Sequence, residues 1–137
     1  MIAPGGVFLL PGRRKGVTTM REMKGFITIA FDEVPWEDDK LMTLPKGIKT
    51  KLLAFDKENN LLDQIHQFPP DYVEPRHTHD SAHHIVILDG TMVIEGKTLT
   101  RGGYVYAERN VEHGPYKYPG GCTVFIHFVG PSPAHKY

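Results

Sequence analysis

Glycine and proline set the terms for this chain. Fourteen glycines and eleven prolines recur from end to end of its 137 residues. The runs between them are short and rich in Ile, Val, Phe, Tyr and Thr, residues that suit a pleated, half-buried surface. Short β-favouring runs between turn signals predict an all-β sandwich or barrel. Strands are expected over residues 26–31, 50–55, 61–68, 83–88, 91–95, 97–100, 104–107, 111–118 and 122–129. Asp89-Gly90 is a strong hairpin signal and Glu95-Gly96 a second one. Asn59-Asn60 and Pro119-Gly120-Gly121 should close two further turns. Residues 34–47 hold Pro35, Trp36, the acidic trio Glu37-Asp38-Asp39 and Pro45, and read as an irregular loop.

Two of the expected strands, I-V-I-L and V-F-I-H-F-V, are apolar on both faces. Strands of that kind are covered on both sides, here by a second sheet or a partner subunit. The length suits one domain, 1–137, with an N-terminal arm to about residue 25. The opening stretch M-I-A-P-G-G-V-F-L-L-P-G-R-R-K superficially resembles a signal peptide. Its charges follow the apolar run, however, and Pro and Gly interrupt it, so a terminal arm or edge strand is expected. No segment approaches membrane-spanning length, and a cytoplasmic protein is the default expectation.

Composition closes off several function classes. Sixteen basic residues balance sixteen acidic ones, so no overall field favours nucleic acid or an anionic membrane. The cluster Arg13-Arg14-Lys15 lacks interleaved aromatics and reads as a solvated loop. Cys122 is the single cysteine; it forms no internal disulfide and reads as a buried, inert thiol. Nucleophile elbow, Walker loop and dinucleotide fingerprint are all missing from the sequence.

Histidine is the residue in excess. Residues 76–84 read R-H-T-H-D-S-A-H-H and hold four of the chain's eight histidines. On a strand, His77 and His79 would share one face, about 6.6 Å apart along the chain. Two imidazoles so placed can converge on one metal ion, each nitrogen roughly 2.0–2.1 Å from it. His113 is well placed as a third ligand if its strand lies beside theirs. His83 and His84 are neighbours and cannot both face the interior of a barrel.

These residues resemble the cupin family. Its first motif, G-x5-H-x-H-x3-4-E-x6-G, is matched by His77, His79 and Gly90. Its second, G-x5-P-x-G-x2-H-x3-N, is matched by Gly102 and His113. His83 stands at the glutamate position and Asp71 at the opening glycine. Glu108, Asn110 and Lys117 replace the Pro, Gly and Asn of the second motif. The resemblance covers roughly residues 61–130 and implies a double-stranded β-helix, a jelly-roll barrel that holds ligands inside. Among RmlC-like cupins the chain is similar to small dioxygenases that cleave acetylacetone or 2,4'-dihydroxyacetophenone, through His77, His79, His84, Gly90, the run Gly103-Tyr104-Val105-Tyr106, and His113. It is also similar to the cupin half of ChrR-type anti-sigma factors, including G-C-T-V at 121–124. The sigma-binding helical domain of those proteins has no counterpart within these residues.

The resemblance implies a metal site of His77, His79 and His113, with His83 as a fourth ligand in place of glutamate. It implies a divalent metal: Fe(II) first, with Zn, Ni or Mn as alternatives. The activity implied is that of a metal-dependent dioxygenase acting on a small diketone or hydroxyketone. A closed four-histidine zinc site without catalysis, or a cupin isomerase or lyase, is the alternative. A homodimer is expected from the family. Glu95 reads either as a base in the pocket or as an ordinary solvated carboxylate beside a turn. His66 and Gln64 share a strand face that would line the pocket. His127 reads equally as a barrel-lining or a hydrogen-bonded core histidine, and Tyr104 and Tyr106 as ordinary strand residues sharing a face. His135, in the tail P-S-P-A-H-K-Y, is expected to be mobile and irrelevant to the site.

Overall fold

The computed structural model describes residues 2–3, 7–8, 20–39 and 47–137. Its strands are β1 (Ile2–Ala3), β2 (Val7–Phe8), β3 (Met20–Arg21), β4 (Glu37–Asp38), β5 (Lys49–Asp56), β6 (Leu61–Phe68) and β7 (Tyr72–Glu74). They continue with β8 (Ala82–Gly90), β9 (Met92–Ile94), β10 (Lys97–Leu99), β11 (Tyr104–Ala107), β12 (Tyr116–Tyr118) and β13 (Cys122–Val129). The only helical element among the described residues is a short 3-10 turn at Phe31–Glu33. Two antiparallel sheets make the body: six strands in the order β11-β8-β13-β6-β5-β4, and four in the order β10-β9-β12-β7. A small third sheet has the order β1-β2-β3.

Alternation along each strand decides what faces inward. On β13, Cys122, Val124, Ile126 and Phe128 are buried, while the residues between them are more open. On β8 the buried set is His83, Ile85 and Ile87. All of these side chains except His83 join Ile48, Phe68, Met92, Tyr116 and Tyr118 in one core. Tyr118 stacks on Phe68 with ring centroids 4.0 Å apart, a contact worth about 0.5–1.5 kcal/mol beyond the area it buries.

The outer face of the six-stranded sheet carries a second cluster, Val34, Leu53 and Ile65, with Ile29, Leu88 and Phe125 packed against it. The two-sided apolar character of the strands is therefore met in part by the chain's own 29–34 segment. Lys51 fixes that segment: its ammonium donates to the Phe31 carbonyl at 2.8 Å and lies 4.6 Å from the centre of the Trp36 ring.

Several expected elements differ. Residues 26–31 form no strand, and Phe26 is 85% exposed. β-propensity records only fitness for a packed pleat, and the edge beside β5 is taken by β4, which pairs Glu37 with Thr50 and Asp38 with Lys49. The loop expected over 34–47 thus contains a short edge strand. Residues 40–46 and the Arg13-Arg14-Lys15 cluster lie outside the described residues.

The expected strand 111–118 shrinks to Tyr116–Tyr118. Pro115 has no N–H to give to a ladder, and His113 makes only an isolated bridge, to His77. The strand β7, only three residues long, is too short to carry a periodic signal. Asp89-Gly90 closes no hairpin, because β8 and β9 belong to different sheets. Gly90 instead marks the crossing between them: its φ is +83°, and a Cβ there would lie 2.3 Å from the Gly121 carbonyl oxygen. Glu95-Gly96 does close a hairpin, β9–β10, with both residues at positive φ (51° and 73°), as a type I′ turn requires.

Candidate metal centre

Three separate parts of the chain deliver imidazoles to one end of the barrel. His77 and His79 follow β7 in a segment held by isolated bridges, with His77 N–H donating to the His113 carbonyl at 3.0 Å and the reverse bond also 3.0 Å. This segment is not a regular strand, yet both rings still point inward and each residue is 2% exposed. His113 is brought opposite by the same bridge. His83 comes from β8, whose alternation sends it inside and turns His84 outward.

The nitrogens converge. His113 Nε2 lies 3.1 Å from His83 Nε2 and 3.2 Å from His79 Nε2. Nitrogens each about 2.0–2.1 Å from a common ion stand roughly 3.0–3.4 Å apart. Backbone carbonyls settle the tautomers. His77 Nδ1 donates to Pro75 O at 2.7 Å, His79 Nδ1 to Ser81 O at 3.0 Å, and His113 Nδ1 to Val111 O at 2.7 Å. The proton of each neutral ring is then on Nδ1, and the Nε2 lone pair faces the cluster. Lone pairs aimed at one another across 3.2 Å repel unless a cation lies between them, and carbonyl-oriented imidazoles are the usual outer support of a metal ligand.

Burial also keeps the rings neutral. Loss of hydration pushes His77 and His79 down to about 4, His83 to about 2, and lowers His113. A ring that stays deprotonated at neutral pH is a ligand in waiting. Nitrogens of His79, His83 and His113 all lie within 4.8 Å of one another. A second such group is His77, His79 and His135. The donor set fits a borderline metal ion such as zinc, iron, nickel or copper.

The expectation for His135 is overturned. Its side chain is 3% exposed, with Nε2 3.5 Å from a Glu74 carboxylate oxygen, and its ring centroid is 4.0 Å from that of His77. The tail is held because Thr78 and Lys136 exchange backbone hydrogen bonds (2.8 and 2.7 Å) and Lys136 Nζ pairs with Asp80 at 2.7 Å. Nothing local in P-S-P-A-H-K-Y signals this; it depends on a bridge to a residue nearly sixty positions earlier. Glu74 was also missed. It is 4% exposed, and burial lifts its carboxyl to about 7 against the opposing effect of the hydrogen bond that Tyr118 donates at 3.1 Å. A void of about 20 Å³ lies among His66, Glu74, His77, His79, His83 and His135, room for one ion or one water.

The remaining candidates fall into place around this centre. His66 and Gln64 are buried on the inner face and hydrogen-bonded at 3.0 Å. His127 is partly exposed on the outer face, where it pairs with Asp63; it lines no barrel interior. His84 bonds the Tyr104 hydroxyl at 2.7 Å on the same outer face, and Tyr104 and Tyr106 are about half exposed. Cys122 is buried, and burial raises its thiol to about 12.

Glu95 is exposed at the β9–β10 turn and belongs to neither histidine group. It stands on the wall of an open cavity of about 390 Å³ that also meets Tyr104, Tyr106, Tyr116 and His113. This cavity opens between β10 and β11, the free edges of the two sheets. Tyr116 OH is buried without a partner, and burial raises its hydroxyl far above the ordinary tyrosine value, so it is a neutral donor.

Comparison with known proteins agrees with this architecture. The sequence matches the ChrR cupin-like domain family over residues 24–132. No curated protein matches it in sequence. The acetylacetone dioxygenase from Acinetobacter johnsonii superposes with a TM-score of 0.60 at 16% identity, covering 82% of this chain and 85% of that one. The polyketide cyclase RemF from Streptomyces resistomycificus gives 0.64 at 16% identity, over 82% and 84%. The complex of Rhodobacter sphaeroides SigE with the anti-sigma ChrR gives 0.55 at 20% identity, over 73% of this chain and 51% of the matched one. At such identities the likeness is one of fold, and these three structures are named for three different activities. Among the described residues no helix is long and apolar enough to cross a membrane.

Proposed function

The chain belongs to the ChrR cupin-like domain family, and on that premise we propose that it is a metal-dependent cupin enzyme for a small oxygenated substrate. The observation that carries the proposal is the convergence of the His79, His83 and His113 nitrogens at 3.1–3.2 Å, with His79 and His113 held in the ligating tautomer by carbonyls. These residues would hold the ion, with His77 beside them. Fe(II) is the favoured metal; once bound it would supply Lewis acidity and, with O₂, oxidative cleavage of a diketone or hydroxyketone.

The chain's own residues do the rest. His113 is the one histidine of the cluster that lines the open cavity, so a substrate entering between β10 and β11 meets the centre there. Neutral imidazoles leave the cation's charge uncancelled, which favours an anionic enolate. The unpartnered Tyr116 hydroxyl is available to donate to a substrate oxygen, and Ile94, Leu99 and Val105 give the cavity an apolar wall that thins water. Glu95, exposed at the cavity wall, is the base available to take a proton from a carbon acid.

A second reading rests on His83. A buried all-histidine set also suits a structural zinc ion with no open position. Metal content and oxygen uptake separate the two. Iron retained on purification, with oxygen consumed on addition of a β-diketone, supports the enzyme. Zinc held with no reaction of any diketone or hydroxyketone supports the structural site, and product formed without oxygen uptake makes the chain an isomerase or lyase.

A further inference from the structure

The histidine cluster contains one group too many for a single set of ligands, and the extra member comes from the C-terminal tail. His77, His79 and His135 bring nitrogens within 4.8 Å of one another, as do His79, His83 and His113. The two groups share only His79. Because His79 commits Nδ1 to the Ser81 carbonyl, it has one lone pair to give, and one lone pair binds one ion.

His135 is prepared for a ligand's role in its own way. Its Nε2 faces the Glu74 carboxylate at 3.5 Å, while its Nδ1 is buried with no hydrogen-bond partner. A carboxylate behind one ring nitrogen and a bare lone pair on the other is the arrangement that supports histidine on a metal. The Glu74 carboxylate is itself fixed by the Tyr118 hydroxyl at 3.1 Å. The Thr78–Lys136 bridge and the Lys136–Asp80 ion pair hold the tail in register beside the H-x-H segment. An unpaired nitrogen in the interior is destabilising unless something occupies it.

We propose that the C-terminal segment carries a metal ligand, His135, so that one divalent ion is held in either of two overlapping triads that pivot on His79. This rests on the reading of the cluster as a metal site. The two positions differ in access. His113 lines the open cavity, whereas neither His77 nor His135 does. An ion on the tail-side triad is withdrawn from substrate, and an ion on the other triad is presented to it.

Competition titration of Zn(II) against a chromophoric chelator tests this on the full chain: wild type, His83→Ala, His135→Ala and the double variant. His83→Ala is expected to keep zinc on the tail-side triad. Adding His135→Ala to it should then weaken binding at least tenfold further. Zinc should also slow amide exchange of residues 134–137 in His83→Ala. His135→Asn, which preserves packing better, guards against a folding artefact and should weaken zinc in the same background, with thermal melts in chelator reporting the fold. If wild type binds zinc but removal of His135 changes affinity less than twofold in both backgrounds, the tail is no ligand and only this inference falls. If wild type binds no zinc, the metal site itself falls with it.

Discussion

Which nitrogen of a histidine is free to ligate is set by what holds the other one. His79 and His113 each give Nδ1 to a carbonyl two residues away, which fixes Nε2 as the acceptor without any distant partner. His84, one position from His83, gives the contrast: it bonds a tyrosine hydroxyl on the outer face. The pH dependence follows from burial. The folded rings of His77, His79 and His66 titrate at about 4, below the unfolded value of about 6.5. Between those limits the unfolded chain binds more protons, so stability is full above about pH 6.5 and lost as pH falls toward 4. Glu74, raised to about 7, acts in the opposite sense, but it is one group against several. The metal-free protein should therefore melt on the order of 5 °C or more lower at pH 5 than at pH 7. A melting temperature flat across that range would mean the rings are not buried as described. Tyr116→Phe removes a hydroxyl that has no partner, so stability and metal content should hold. If the hydroxyl meets substrate, kcat/KM falls about tenfold, the worth of one hydrogen bond. An unchanged kcat/KM would remove Tyr116 from the reaction.

Elements were legible where a β-favouring run lies between turn residues. β6, β11 and β13 occupy the residues expected of them, because Asn, Gly or Pro bounds each run and the residues between suit a pleated surface. They failed where pairing, not propensity, decides. Residues 26–31 have strand composition but no ladder to join, and β4 pairs despite an acidic sequence. Asp89-Gly90 shows the limit of turn chemistry: the same dipeptide that closes a hairpin here passes the chain from one sheet to the other. Gly90→Ala meets both a positive φ and the Gly121 carbonyl. It should cost about 3 kcal/mol, among the more severe single substitutions, read as a drop in the denaturation midpoint. A loss under about 0.5 kcal/mol would mean that the crossing has room for a side chain. The site follows the same division. Motif spacing pointed to His77, His79, His83 and His113, and the fold brings all four into one cluster. His135 and Glu74 were not legible in this way, since they reach the cluster only through the tail's bridge and β7's pairing with β12.

At the scale of the whole molecule, the barrel has two kinds of outer surface. The 29–34 segment covers the six-stranded sheet over Leu53 and Ile65. Farther along the same face, Tyr104, Tyr106 and Val129 remain exposed, beside His84 and His127. The homodimer expected for such a chain would cover this part, and light scattering should then give twice the 15.5 kDa chain mass. Tyr104→Glu combined with Tyr106→Glu should return it to one chain. A monomeric wild type would leave that face free for another role. The inner surface is the stronger claim, because its geometry is costly without an ion. His79 belongs to both groups of histidines that could hold an ion, so on this account its loss is not compensated within the cluster. The decisive measurement is elemental analysis of the full chain purified without added metal, wild type beside His79→Ala. The account predicts about one divalent ion per chain in the wild type and a loss of at least nine-tenths in the variant. Equal metal in both, or none in the wild type even after anaerobic loading with Fe(II) or Zn(II), would contradict it.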